Sequence, residues 1–195
     1  MTFDSEELLL LAGQGSRDAM GEFYRRHKPY VAAFFRHACP DVDRVHDLTQ
    51  EVFLRLWKAA SSYRPAGKLT AYLFAVALNV WRDHGRRLRS RPAEAGHSYL
   101  DSFPSDAPSP DRASQTGEFD SDLRRALASL PEPERIAFVL SEIHSISYKD
   151  IAGIMRCTVG AVGSRKSRAI AHLRRLLIRH APESYLKEAA NNEMP

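Results

Sequence analysis

Apolar residues along this chain recur at helical spacing, and strand-like alternation is absent. Ser5 is placed to cap a helix opening near Glu6, with Leu8, Leu11 and Ala12 on one stripe. Ser16 can cap a second helix carrying Ala19, Met20, Phe23 and Tyr24, then Val31, Phe34 and Phe35. Pro29 is expected to kink or break it. Cys39, Pro40 and Asp41 mark a turn. A third helix opens at Val42 or Asp43 and runs to Ala60, and Ser61 to Gly67 form a loop by composition. A fourth helix spans Leu69 to Leu88, with Leu69, Leu73, Val76 and Val80 along one side.

The character then changes. Residues 92–118 hold Pro92, Pro104, Pro108 and Pro110 among serines and aspartates, the composition of a linker. Helical spacing resumes over 119–180, where Pro131 and Pro133 bracket a turn and His144 with Ser145 ends the next helix. The expected fold is all-α: two helical domains, 5–91 and 119–180, joined by a flexible linker, with a tail over 181–195.

Charge sharpens this division. The net charge of the whole chain is only +4, but residues 58–91 carry 8 basic and 1 acidic side chains. Residues 92–118 carry 1 basic and 5 acidic, and 119–195 carry 12 basic and 9 acidic. Two basic blocks around an acidic break suit two contacts on one polyanion, although two solvated helix faces would give the same numbers.

The sharpest signal lies between Ser147 and Leu177. Ser147 caps a short helix, and Asp150 at its third position imitates a capping box. Ile151, Ala152 and Met155 face inward, Arg156 and Cys157 turn the chain, and Thr158 caps a longer helix. Short helix, tight turn and capped second helix make a helix-turn-helix. Val159, Val162, Ala169, Ile170, Leu173, Leu176 and Leu177 form the expected buried stripe, while Ala161, Gly163, Ser164, Ser167 and Arg168 lie outside. Small residues let a helix enter the major groove, and arginine reaches guanine edges or phosphates. A basic hairpin packed on another protein would read similarly.

Two faces stand out in the first domain. Asp47, Gln50, Glu51 and Leu54 fall at i, i+3, i+4 and i+7, an acidic stripe with one leucine. It suits a protein interface, or a solvated face with a Glu51–Arg55 pair. Asn79, Arg82, Asp83 and Arg86 repeat that spacing, and Arg87, Arg89 and Arg91 extend the charge. Tyr72, Phe74 and Trp81 are interleaved; such a mixture suits single-stranded DNA, but Phe74 fits the core better. Gly85, inside this helix, costs about 1 kcal/mol relative to alanine.

Other chemistries find little support. His37, His46, His84 and His97 show no metal-ligand spacing, and no nucleophile motif is present, so neither an enzyme nor a cofactor is expected. Cys39 and Cys157 form no C-x-x-C pair. The acidic start, the short apolar run from Leu8 to Ala12 and the absence of a long apolar segment point to the cytoplasm. A conventional helix-turn-helix regulator with a sensor domain is the principal alternative.

Taken together, DLTQEVFLRLWKA (Asp47 to Ala59), LTAYLFAVALNVWRDHGRR (Leu69 to Arg87) and the segment from Leu127 to Leu177 resemble sigma regions two and four. With no region three between them, the chain resembles the extracytoplasmic-function group of bacterial sigma factors. The resemblance implies promoter DNA, core RNA polymerase and an anti-sigma factor as partners. It implies polymerase contacts at Asp47, Gln50, Glu51 and Leu54, and minus-ten contacts at Asn79, Arg82, Asp83, Arg86 and Arg87. Minus-thirty-five contacts fall on Ser147, Tyr148, Lys149, Gly163, Ser164, Arg165, Ser167 and Arg168. The chain departs from the pattern at Leu78, where arginine is frequent, and at Met155 and Arg156, where Leu-Gly is frequent. Lys166 stands at an apolar position, and Gly163 offers no side chain to DNA.

Overall fold

The computed structural model describes residues 4–39, 42–90 and 123–180, and every regular element among them is helical. The expected linker over 92–118, the tail over 181–195 and two residues of the expected turn, 40 and 41, lie outside the described residues. Helix α1 spans Ser5–Gly13, α2 Arg17–Ala38, α3 Val45–Ala59 and α4 Leu69–Ser90. Single 3-10 turns at Val42–Arg44 and Ala60–Ser62 flank α3. In the second half, α5 covers 123–128 and α6 Glu132–Phe138; a π turn follows at Val139–Ile143. The helix-turn-helix pair is α7, Tyr148–Met155, and α8, Val159–His180.

The start of α1 differs from expectation. Asp4, not Ser5, is the cap: its carboxylate accepts from Glu6 N at 2.7 Å, and Glu7 accepts from Asp4 N at 3.0 Å. This reciprocal box satisfies two otherwise orphaned amides, and a carboxylate also suits the positive end of the helix dipole. Ser16 caps α2 as expected, accepting from Ala19 N at 3.2 Å.

Pro29 does not break α2. Burial holds both halves in line, because Phe23 on one side and Val31, Phe34 and Phe35 on the other are completely enclosed. Similarly, Pro131 and Pro133 do not bracket a turn. Pro131 is the N-cap of α6 and Pro133 lies in its first turn, where a missing N–H removes no helical bond.

Helices α1 to α4 enclose a core of Leu9, Phe23, Phe35, Val52, Leu56 and Leu73. Gly13 is fixed by close packing: a Cβ there would meet the Ala60 carbonyl oxygen at 2.5 Å. Tyr63 clamps the same corner by donating to Glu6 Oε1 at 2.9 Å; burial, and then this bond, push its phenol up to about 12. Phe74 is core, 2% exposed, and Leu78 is buried with it, which explains an apolar residue at that position.

Leu127, Ile136, Leu140, Ile151, Val162 and Ala169 form the interior of the second unit. Arg135 is buried there, and its Nη1 donates to the carbonyls of Leu130 at 3.0 Å and Ala128 at 3.3 Å. A side chain thus satisfies carbonyls at the end of α5 that the helix leaves unpaired. The units touch: α7 packs on α4, and His144 lies 4.5 Å from Phe74 and 6.2 Å from Phe34, measured between ring centroids.

Candidate functional site

The acidic stripe of α3 is presented to solvent because Leu48, Val52, Phe53 and Leu56 turn the opposite face into the core. Asp47 and Gln50 are exposed, Glu51 is half-buried, and Leu54 is 49% exposed. The Gln50 amide nitrogen donates to His46 Nε2 at 2.8 Å. Leu54 does not stand alone. It shares a groove of about 320 Å³ with Met20, Tyr24, Phe53 and Trp57, and Trp57 is itself 43% exposed. Acidic side chains thus border an open apolar groove on the exposed face of α3.

The expected Glu51–Arg55 pair is present at 2.7 Å, but it is only the first link of a chain. Arg55 also donates to Asp83 of α4 at 2.6 Å, and Asp83 pairs in turn with Arg86. The bonds from Arg55 and then Arg86 hold the Asp83 carboxyl below its ordinary value. Asp83 therefore ties α3 to α4 while orienting one arginine of the basic stripe.

On α4, Asn79, Arg82 and Arg86 come together in a cleft of about 410 Å³ beside Trp81. Glu132 and Arg156 of the second unit form its other wall. Arg87 faces differently, lining the groove between α3 and α4 with Asp47 and Glu51. The side chains at 89 and 91 lie outside the described residues.

In the helix-turn-helix, Ser147 Oγ accepts from Asp150 N at 3.2 Å. The Asp150 carboxylate does not reach back to the cap backbone; it accepts from Ser147 Oγ at 2.6 Å, because aspartate is one methylene shorter than glutamate. Arg156 ends α7 in the left-handed region, φ 54°, ψ 55°, and Thr158 Oγ1 accepts from Ala161 N at 3.2 Å to open α8. Val162, Ala169 and Leu173 are buried as expected, Ile170 and Leu176 are half-buried, and the side chain at 177 lies outside the described residues. Val159, the first residue of α8, departs from the expected stripe at 49% exposed, and burial on that face begins one turn later at Val162.

Ser147, Tyr148, Lys149, Ser164, Ser167 and Arg168 are exposed together around the start of α8, with Arg165 and Gly163 half-buried. Two cations of this surface already have partners. Arg168 Nε lies 2.9 Å from Glu134, and Lys166 Nζ lies 2.6 Å from Glu142. Both glutamates escape sequence reasoning, since they lie more than twenty residues from their partners and no local spacing signals them. Leu54 was legible as an exposed leucine, but its groove with Met20, Tyr24 and Trp57 forms only when α2 and α3 pack.

The described residues contain no group of three or more His, Cys, Asp or Glu placed to hold a metal, and no helix long and apolar enough to cross a membrane.

Residues 23–91 match the family model of Sigma-70 region 2, and residues 120–173 that of Sigma-70, region 4. The chain is 30% identical over 171 residues to the ECF RNA polymerase sigma factor SigE of Mycolicibacterium smegmatis, covering 88% of this chain and 66% of that protein. It is 32% identical over 158 residues to the ECF RNA polymerase sigma factor EcfG of Rhodopseudomonas palustris, covering 80% of this chain and 84% of that one. Among solved structures, it resembles the sigma factor RpoE in complex with the anti-sigma factor NepR from Bartonella quintana. That match has a TM-score of 0.61 and 27% identity, covering 80% of this chain and 95% of that one. With two helical units carrying one basic surface each, and region 2 and region 4 in that order, the chain belongs to the ECF RNA polymerase sigma factors.

Proposed function

We propose that this protein binds core RNA polymerase and directs promoter-specific initiation by positioning DNA, with no turnover of its own. The observation that carries this reading is the division of surfaces: an acidic, apolar-grooved helix in one place and two separate basic surfaces elsewhere. Asp47, Gln50, Glu51 and Leu54 dock on polymerase, with the Trp57 groove extending their apolar contact. Asn79, Arg82 and Arg86 meet the minus-ten element from one cleft, Asp83 holding Arg86 in place, and Arg87 contributes to it from the α3 side of the helix. Trp81 supplies an aromatic surface beside Asn79 for unstacked bases.

Ser147, Tyr148, Lys149, Ser164, Arg165, Ser167 and Arg168 meet the minus-thirty-five element, with Gly163 beneath them. Neither contact needs to be tight alone, because tethering both to polymerase raises the effective concentration of each at its element. The protein acts where polymerase and promoter are, in the cytoplasm. By its likeness to the anti-sigma-bound Bartonella factor, it is held inactive by a protein covering the same surfaces.

Run-off transcription with purified core polymerase tests this reading. Transcripts that start only when the protein is added, each preceded by two shared sequence elements, are the expected result. Specific DNA binding without polymerase, and no transcripts with it, would move the assignment to a conventional helix-turn-helix regulator.

A further inference from the structure

Lys166 lies on the recognition helix of a DNA-binding unit, yet its surroundings are not those of a phosphate contact. Its side chain is 22% exposed, against 62% for Arg168 two residues further along. Its ammonium lies 2.6 Å from Glu142 and 5.5 Å from the centroid of the Tyr148 ring. That is within cation–π range, and the adjacent carboxylate already neutralises the charge. Glu142 first, and Tyr148 after it, raise the pKa of Lys166 above its ordinary value.

Tyr148 occupies the elbow between the two DNA-facing helices. It is the first residue of α7, immediately after the Ser147 cap, and it is 37% exposed. On its inner side lies Gly163: a Cβ placed there would sit 3.8 Å from Tyr148 Cε2. That is ordinary contact distance, so one methyl fits and a longer side chain would occupy the space of the ring. The two unusual residues of the recognition helix thus meet at one aromatic ring, glycine giving it a seat and lysine standing over it.

We propose that Lys166 is a positioning residue. Held by Glu142, it pins the Tyr148 ring on Gly163, and Tyr148 donates its hydroxyl to a phosphate flanking the upstream element. Tyrosine hydroxyls are common phosphate donors, and such contacts fix register rather than sequence. The inference rests on the reading of α8 as the duplex-binding helix. The missing side chain at position 163 is then the condition for the Tyr148 contact.

The test is binding of holoenzyme, this protein with core polymerase, to a promoter fragment over a series of salt concentrations. Lys166→Met should weaken binding about twofold to fivefold, the size of one exposed cation–π contact, and leave the salt slope unchanged. Glu142→Gln should also weaken binding, because it loosens the lysine. Gly163→Leu should reproduce the loss without touching the ion pair. In Tyr148→Ala, where nothing remains to position, Lys166→Met should have no further effect.

A direct phosphate contact by Lys166 predicts otherwise: Lys166→Met would lower the slope by about 0.9, and Glu142→Gln would tighten binding by freeing a cation. Either result, or additivity of Lys166→Met with Tyr148→Ala, overturns the proposal. If Arg165→Ala, Tyr148→Ala and Lys166→Met all leave binding and slope unchanged, the assignment of α8 itself fails, and the proposal with it.

Discussion

His144 rests against Phe74 with ring centroids 4.5 Å apart and planes inclined by 49°, so a residue between two helices of the second unit is packed onto the core of the first. Its Nε2 is buried with no hydrogen-bond partner among the described residues, and burial, reinforced by His37, pushes its pKa down to about 4. Above the ordinary value of 6.5 the imidazole is neutral in both folded and unfolded chains. Between 6.5 and about 4 the unfolded chain takes up a proton that the folded chain refuses. Stability must therefore fall as pH falls through that window. His27, whose pKa burial also lowers, adds to the loss with the same sign. Thermal unfolding measured from pH 7 to pH 4 checks this. His144→Phe, which keeps an aromatic ring and removes the proton site, should flatten the dependence.

Gly13 leaves no room for a side chain. The nearest atoms to a Cβ there are backbone, Ala60 O at 2.5 Å and Ala60 C at 2.7 Å, which cannot rotate away. Gly13→Ala should therefore destabilise by about 1–3 kcal/mol, despite the higher helix propensity of alanine. Gly21, with open space around its Cβ position, is the control: Gly21→Ala should stabilise. Urea unfolding of both variants makes the comparison.

Much of this molecule was legible because its signals are local. Ser16, Ser147 and Thr158 cap helices that begin within three residues of them, and the turn at Arg156 follows directly from the end of the α7 stripe. The helix-turn-helix is such a motif, and so is the spacing of Asp47, Gln50, Glu51 and Leu54. What stayed hidden depends on partners distant in the chain. Nothing near Arg55 announces Asp83, nothing near Lys166 announces Glu142, and the contact of His144 with Phe74 joins residues seventy positions apart. Asp4 was missed for a local reason: two adjacent residues could each cap α1, and the reach of Glu7 to Asp4 N decided between them.

The proposed division of labour separates in mutants. Asp47→Ala combined with Leu54→Ala removes an exposed carboxylate and the lip of the α2–α3 groove, where neither side chain supports the core. Polymerase binding should weaken at least tenfold, about 1.4 kcal/mol, with thermal stability unchanged. Arg165→Ala, which removes a cation with no ion-pair partner among the described residues, should leave polymerase affinity intact and weaken promoter capture, with a salt slope smaller by about 0.9. Gel-shift titrations of polymerase and of promoter, run on the same preparations, distinguish the two losses.

Arg156 carries a local backbone cost beside the basic cleft of α4. It ends α7 at φ 54°, a conformation that costs a non-glycine residue about 1–2 kcal/mol. Its side chain lines the cleft containing Arg82 and Arg86, where it adds a third guanidinium to two carboxylates, Glu132 in the wall and Asp83 bonded to Arg86. Arg156→Gly removes the strained Cβ contact and one of three like charges, while the unfolded chain gains conformational freedom. The first two effects should win, raising stability by about 0.5–1 kcal/mol. The same change withdraws a cation from the wall facing Asn79. If that wall helps hold the minus-ten strand, open-complex formation should slow even as the melting temperature rises. Paired calorimetry and promoter-opening kinetics on Arg156→Gly and Arg156→Asn separate the two effects. Asparagine tolerates the left-handed turn without restoring the charge, so it should match glycine in opening rate. A normal rate in both variants would mean that the arginine serves the turn alone.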